Sequence, residues 1–227
     1  KSNGEAGMHR YIISNTQSAL HLFQVIALAH FSGWKLEDLN IDIVPLFETI
    51  DDLKNSMDIM ETLYTHPVYS KHLRKRGNKQ HIMLGFSDGT KDGGYLTANW
   101  AIYCAKKDLT SISRKFDVNV TFFDGRGGPP ARGGGNTHKF YRSLGQNIDH
   151  KQIHLTIQGQ TISSNFGFNE AAQFNTEQMF TSGIESHIFH GDKDDLSLEQ
   201  EDILHGLAKI SKQKYLDFKS HPLFTEY

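Results

Sequence analysis

The stretch HIMLGFSDGTKDGG (His81–Gly94) begins as a nearly unbroken apolar run and then places two aspartates and a lysine among glycines. A short apolar run without alternation reads as a strand buried on both faces of a parallel sheet, here over His81–Ser87. The polar residues that follow it, Asp88, Lys91 and Asp92, read as a glycine-bearing turn at the strand's carboxyl end. The same layout recurs in both directions along the chain. RYIIS (Arg10–Ser14), IDIVPLF (Ile41–Phe47), NVTFFDG (Asn119–Gly125) and IHLTIQG (Ile153–Gly159) are further strand candidates, and Glu48 and Arg126 directly follow two of them.

Longer stretches with helical spacing separate these runs. TQSALHLFQVIALAHFSGW carries Leu20, Phe23, Ile26 and Ala27 on one stripe and stops at Gly33. TIDDLKNSMDIMETLYTH opens on Asp51 and Asp52, where the helix dipole favours carboxylates, and repeats Leu53, Met57, Met60 and Tyr64. GYLTANWAIYCAKKDLTSISRKF repeats Leu96, Trp100, Tyr103 and Leu109 and ends in basic residues. Strand alternating with helix is the βαβ pattern of an α/β fold. After Gly159 the strand signal fades, and residues 170–227 read as mainly helical, with Ile203, Leu204, Leu207 and Ile210 on one face of the last helix. Five strands are too few for a closed eight-stranded barrel. They suffice for an open doubly wound sheet or for part of a barrel, and both architectures collect chemistry at the carboxyl ends of the strands.

Composition narrows the function. A length of 227 residues with 37% apolar content fits one domain with one substantial core, and a formal charge of -2 lacks the basic excess that nucleic acid demands. No apolar stretch is long enough to span a bilayer. The single cysteine, Cys104, excludes an internal disulfide framework and a multi-cysteine zinc site, and fits a reducing, cytoplasmic setting. The chain opens on Lys1 and a polar SNGEAG, so residues 1–8 are expected to be flexible and to follow a removed upstream segment. Trp34, Trp100, Phe122 and Phe123 read as core, and the KKD run (Lys106–Asp108) as a solvated face.

At the strand ends, Glu48 is either a helix cap or a ligand, and Asp88 either a turn former or a ligand. Two carboxylates from successive strand ends would converge on one mouth, and an oxygen-only pair with room for water suits Mg²⁺ or Mn²⁺. Lys91 and Arg126 would add fixed positive charge, a set that fits a small phosphorylated acid. GTKDGG lacks the spacing of a nucleotide P-loop. His138, just past the glycine-rich GRGGPPARGGG, has packing and catalytic readings of equal weight.

Taken together, PLFETIDDL, MLGFSDGTKDGG, GRGGPPARGGGNTH and TIQGQTISSNFG, in this order and spacing, resemble the central and later part of the bacterial and plant-type phosphoenolpyruvate carboxylases. The resemblance implies a partial (β/α)8 TIM-type barrel with additional helices, and carboxylation of phosphoenolpyruvate with bicarbonate to oxaloacetate and phosphate, using Mg²⁺ or Mn²⁺. By position it implies Glu48 and Asp88 as metal ligands, Arg126 as the holder of the substrate phosphate, and Lys91 and Arg132 as further catalytic cations. Leu46 and Met83 would line a small apolar pocket for the methylene end of the substrate and CO2, with Gly127 and Gly128 at the phosphate. A cytoplasmic homotetramer is implied for the full-length protein, with no nucleic-acid or membrane partner.

Two positions depart from the family pattern. Asp124 stands where the family has histidine, a negative charge beside the proposed anion site, and Gln160 replaces the usual glutamate. The family's T-A-H-P-T-E segment, with its catalytic histidine, and its later R-P-x-[KR]-R segment are not in these residues. The chain is therefore expected to be one barrel-core piece of the enzyme, inactive alone. The competing expectation is a non-catalytic domain that keeps the barrel core for ligand sensing or assembly.

Overall fold

The computed structural model describes residues 7–127, 137–149, 151–188 and 195–226. Of the residues singled out above, the glycine-loop pair Gly128 and Arg132 lies outside this set, as do residues 1–6 of the segment expected to be flexible.

Five strands form one parallel sheet: β1 (Arg10–Ile13), β2 (Asp42–Phe47), β3 (Lys79–Gly85), β4 (Asn119–Gly127) and β5 (Ile153–Ile157). Their spatial order is β1-β2-β3-β4-β5, with every neighbouring pair parallel. A doubly wound sheet reverses its strand order at a switch point, whereas this sheet never reverses. The architecture is an α/β fold built on a five-stranded parallel half-barrel.

The helices are α1 (Ala19–Phe31), α2 (Ile50–Thr65), α3 (Pro67–Lys75), α4 (Phe86–Gly93), α5 (Tyr95–Lys115), α6 (Thr137–Arg142), α7 (Gly159–Phe166), α8 (Asn169–Ile188) and α9 (Leu198–Lys219). Local chemistry sets several of their limits. Thr49 and Asp52 form a reciprocal capping box that starts α2, and Pro67 sits in the first turn of α3, where its missing N–H costs nothing. Gly94, at φ +81°, makes the break that separates α4 from α5.

The core lies between the sheet and α2, α3 and α5. Phe47, Ile82, Leu84 and Phe122 project from the strands against Leu63, Ile102 and other apolar groups of those helices. Each such side chain, when buried, stabilises the fold by about 1.5–3 kcal/mol. The other face of the sheet is covered less well. Leu46, Met83 and Phe123 are partners in register there and only partly buried, so the strands are not buried on both faces as their apolar content predicts.

The helical stripes need correction too. α1 buries Ala19 and Leu22 while Leu20 faces solvent, because a helix apolar on most sides offers several competing stripes. Trp34 is 55% exposed rather than core. Ile203, Leu207 and Ile210 of α9 are exposed, and only Ala208 of that helix is buried.

Candidate functional site

The carboxyl ends of β2, β3 and β4 meet at one mouth. At the end of β2, the backbone of Glu48 is pressed against the end of β3. A Cβ added at Gly85 would lie 3.1 Å from Glu48 Cα, so a larger residue would push the Glu48 backbone back by a few tenths of an ångström. The helix-cap reading of Glu48 is overturned. Thr49 caps α2, and Asp52 accepts from the backbone N–H groups of Glu48 at 3.4 Å and Thr49 at 2.9 Å. The Glu48 side chain accepts instead from the Asn15 N–H at 3.4 Å, just beyond the end of β1.

Asp88, Lys91 and Asp92 lie on α4, not in a turn. β3 spans Lys79–Gly85 and the helix begins at Phe86, so the expected strand is set two residues too far along the chain. Helical geometry puts Asp88 and Lys91 one turn apart, and they form an ion pair at 2.7 Å. Both are well exposed, at 49% and 64% of their side chains, so this pair is cheaply exchanged for another partner. Asp92 is structural, since its carboxylate accepts from the Ile50 N–H at 3.1 Å and ties α4 to the start of α2.

Arg126 is the second correction to the strand limits. β4 runs to Gly127 and takes Arg126 in, where the sequence reading ends the strand at Gly125. The register with β5 slips between Asp124 and Gly127, one extra residue on β4, a bulge of the kind that re-aims side chains next to functional sites. The Arg126 guanidinium is buried and stacks 4.1 Å from the centroid of Phe140 and 5.7 Å from that of Phe86. Burial pushes its pKa down, opposed by Tyr141, Tyr95 and Asp124. The structure therefore brings Glu48, Asp88 and Lys91 to the ends of adjacent strands. It puts Leu46 and Met83 on the facing ladder and sets Arg126 back against aromatic rings. Gly127 ends β4, and His138 lies in α6.

The charge of Asp124 is answered by a residue that sequence reading assigns to solvent. Lys106 is fully buried, and its Nζ donates to Asp124 Oδ2 at 2.8 Å. Tyr141 donates to the same oxygen at 2.7 Å. The ammonium also lies 5.1–5.7 Å from the ring centroids of Phe122, Phe140 and Tyr141. A signal for this exists in the sequence, since Lys106 falls on the stripe of Ile102, Ala105 and Leu109, all of which are buried. Burial pushes the Lys106 ammonium down, and Asp124 opposes this by charge and hydrogen bond. Burial raises the Tyr141 hydroxyl, and Asp124 raises it further.

Among the described residues no group of three or more histidine, cysteine or carboxylate side chains could hold a metal ion. A hard cation that keeps waters and takes substrate oxygens needs only one or two carboxylates. Glu48, released from capping, and Asp88, held only by an exposed lysine, fit that donor set.

The five-stranded parallel α/β half-barrel thus carries Glu48 just past β2, Asp88 in the first turn of α4 after β3, and the ring-stacked Arg126 near the end of β4. Comparison with known proteins agrees at the level of family. The profile of phosphoenolpyruvate carboxylase matches residues 1–227, and the chain belongs to that family. The phosphoenolpyruvate carboxylase of Corynebacterium diphtheriae is 34% identical over 224 residues, covering 99% of this chain and 24% of its own length. That of Nitrosomonas eutropha is 33% identical over 232 residues, covering 99% of this chain and 25% of its own. The chain thus spans about a quarter of the length of the curated relatives it matches. No helix among the described residues is long and apolar enough to cross a membrane.

Proposed function

We propose that these residues form the metal- and phosphate-facing part of a phosphoenolpyruvate carboxylase, which joins phosphoenolpyruvate and bicarbonate to give oxaloacetate and phosphate. The observation that supports this reading is the close approach of the Glu48 backbone to Gly85, which sets Glu48 beside the end of β3, three residues before Asp88. Glu48 and Asp88 would hold Mg²⁺ or Mn²⁺. When bound, the cation supplies Lewis-acid charge against the enolate oxygen left as the phosphoryl group departs. Lys91, freed from Asp88, adds a donor at the same mouth. Arg126 holds the phosphate through its planar fork while Phe140 keeps the guanidinium oriented.

Leu46 and Met83, partners in the β2–β3 ladder, form the apolar wall that excludes water from the CO2 released by carboxyphosphate. Gly127, at the end of β4, and Gly128 would bind the substrate phosphate, and Arg132 would supply a further catalytic cation, as the family resemblance implies. In this reading the full-length protein is a cytoplasmic homotetramer, and the 227 residues alone do not turn over.

The test is calorimetric titration of Mn²⁺, then phosphoenolpyruvate, into the protein and into Glu48→Ala, Asp88→Asn and Arg126→Gln. Metal binding lost in the two carboxylate variants, and substrate binding lost in all three, is the expected result. Wild-type metal affinity in both carboxylate variants would end the proposal. Retention of substrate binding without turnover in the full-length protein would favour a ligand-sensing domain instead.

A further inference from the structure

We propose that Lys106 is a positioning residue for Arg126: it neutralises Asp124 and so keeps that carboxylate from capturing the arginine that holds the substrate phosphate. The inference rests on the phosphate role of Arg126 and goes beyond it by naming what protects that role.

Asp124 and Arg126 lie two residues apart at the carboxyl end of β4, and both are buried. A buried carboxylate must find a positive or hydrogen-bonding partner, because the desolvation of an uncompensated charge is severe. Arg126 is close enough for the charge of Asp124 to act on it. The structure shows a different arrangement. Asp124 Oδ2 accepts from Lys106 at 2.8 Å and from Tyr141 at 2.7 Å, and among the described residues Oδ1 accepts from no side chain or backbone group. The guanidinium stacks on Phe140. Lys106 comes from α5 and Tyr141 from α6, so two elements outside the strand fix the direction of one carboxylate. Phe140 and Tyr141 are adjacent on α6, so the turn of helix that supplies the hydroxyl to Asp124 also supplies the ring to Arg126. Lys106 without its charge would leave Asp124 with the neutral Tyr141 hydroxyl alone, and rotation of the Oδ1 side toward Arg126 would regain a cation. A guanidinium drawn into that pair is lost to the phosphate.

The prediction is directional, which separates positioning from simple structural support. Lys106→Met and Asp124→Asn both break the same buried ion pair, and both should lower the melting temperature. Only Lys106→Met leaves a bare carboxylate beside Arg126. In the full-length protein, Lys106→Met should raise the KM for phosphoenolpyruvate about tenfold or more, the scale of one charge-assisted hydrogen bond, with a smaller change in kcat. Asp124→Asn should not raise KM, and Lys106→Met/Asp124→Asn should return KM to within about twofold of the parent, because no carboxylate then remains to compete. Tyr141→Phe keeps Lys106 but frees part of the carboxylate, so it should raise KM in the same direction by a smaller factor. It decides the question if Lys106→Met does not fold.

Equal KM values across Lys106→Met, Tyr141→Phe and Asp124→Asn would overturn the proposal. So would a KM that rises in Asp124→Asn as much as in Lys106→Met. Arg126→Gln, measured alongside, separates the two levels of inference. A KM unchanged in Arg126→Gln removes the phosphate role itself. A KM raised in Arg126→Gln but not in Lys106→Met or Tyr141→Phe removes only the positioning role.

Discussion

The buried histidines give this protein a pH dependence whose sign follows from their surroundings. His81 lies at the start of β3, 5% exposed, with Arg10 and Lys79 nearby and Asp42 3.6 Å from its Nε2. Burial, reinforced by Arg10, pushes its pKa down to about 4, and Asp42 only partly offsets this. The unfolded chain has an ordinary histidine near pH 6.5 and so binds the proton more readily than the folded state. The stability contributed by keeping His81 neutral is therefore complete above about pH 6.5 and is lost as the pH falls toward 4, a loss of about 2 kcal/mol at pH 5. Burial pushes His72 and His154 in the same direction, so their contributions add. Urea unfolding at pH 7.5 and pH 5 should show a less stable protein at pH 5, with the difference smaller in His81→Gln. An equal difference in the variant would mean that the proton goes elsewhere.

The pieces that place the site belong to whole elements, and they were legible in the sequence to different degrees. All five strands were readable, because strands of a parallel sheet carry a dense apolar signal and here end in charged residues. The positions of Glu48, Asp88 and Arg126 at the ends of β2, β3 and β4 follow from that reading. α4 was not readable: Gly89, Gly93 and Gly94 in residues 86–94 give strong turn chemistry, yet packing against Ile50 and α5 makes the first two of these glycines helical. The burial of Lys106 was legible only in part: it falls on the stripe of Ile102, Ala105 and Leu109, but a KKD run reads as surface and its partners Asp124 and Tyr141 lie elsewhere in the chain. The docking of α9 is purely tertiary. Thr97 donates to the Ala208 carbonyl at 2.9 Å, Trp100 to His205 at 2.9 Å and Tyr215 to the Lys91 carbonyl at 3.1 Å, so α9 braces α5 and also α4, which carries Asp88 and Lys91. Thr97→Val removes a buried donor and leaves the Ala208 carbonyl without it, and should cost about 1–3 kcal/mol in chemical denaturation. Tyr215→Ala should weaken Mn²⁺ binding although it touches neither carboxylate. Unchanged metal affinity there would show that α4 holds its geometry without α9.

At the scale of the whole molecule, the sheet formed by the described residues has two open edges and a poorly covered face. Among those residues β1 and β5 each have one neighbouring strand, and Phe31, Trp34, Phe168, Phe180 and Leu198 are between 55% and 84% exposed. A cavity of about 800 Å³ runs beside β1 and α1, lined by Tyr11, Leu28, Trp34 and Leu39 among others. A large apolar cavity open beside an edge strand is the kind of surface that another segment or subunit covers. The curated relatives are long enough to provide that cover, since this chain corresponds to about a quarter of their length. Phe31 separates the two situations. In the isolated 227 residues it is 84% exposed, so Phe31→Ser should change the melting temperature very little, as for any surface substitution. In the full-length protein a covered phenylalanine would be lost, and the same change should cost about 3 kcal/mol or more. The isolated chain should also self-associate through the uncovered face, with the weight-average mass in sedimentation velocity rising above 25.7 kDa as concentration increases. Phe31→Ser/Trp34→Ser should suppress that rise. If the isolated chain stays monomeric and Phe31→Ser is neutral in both settings, the exposed face is native surface and the half-barrel needs no cover at this edge.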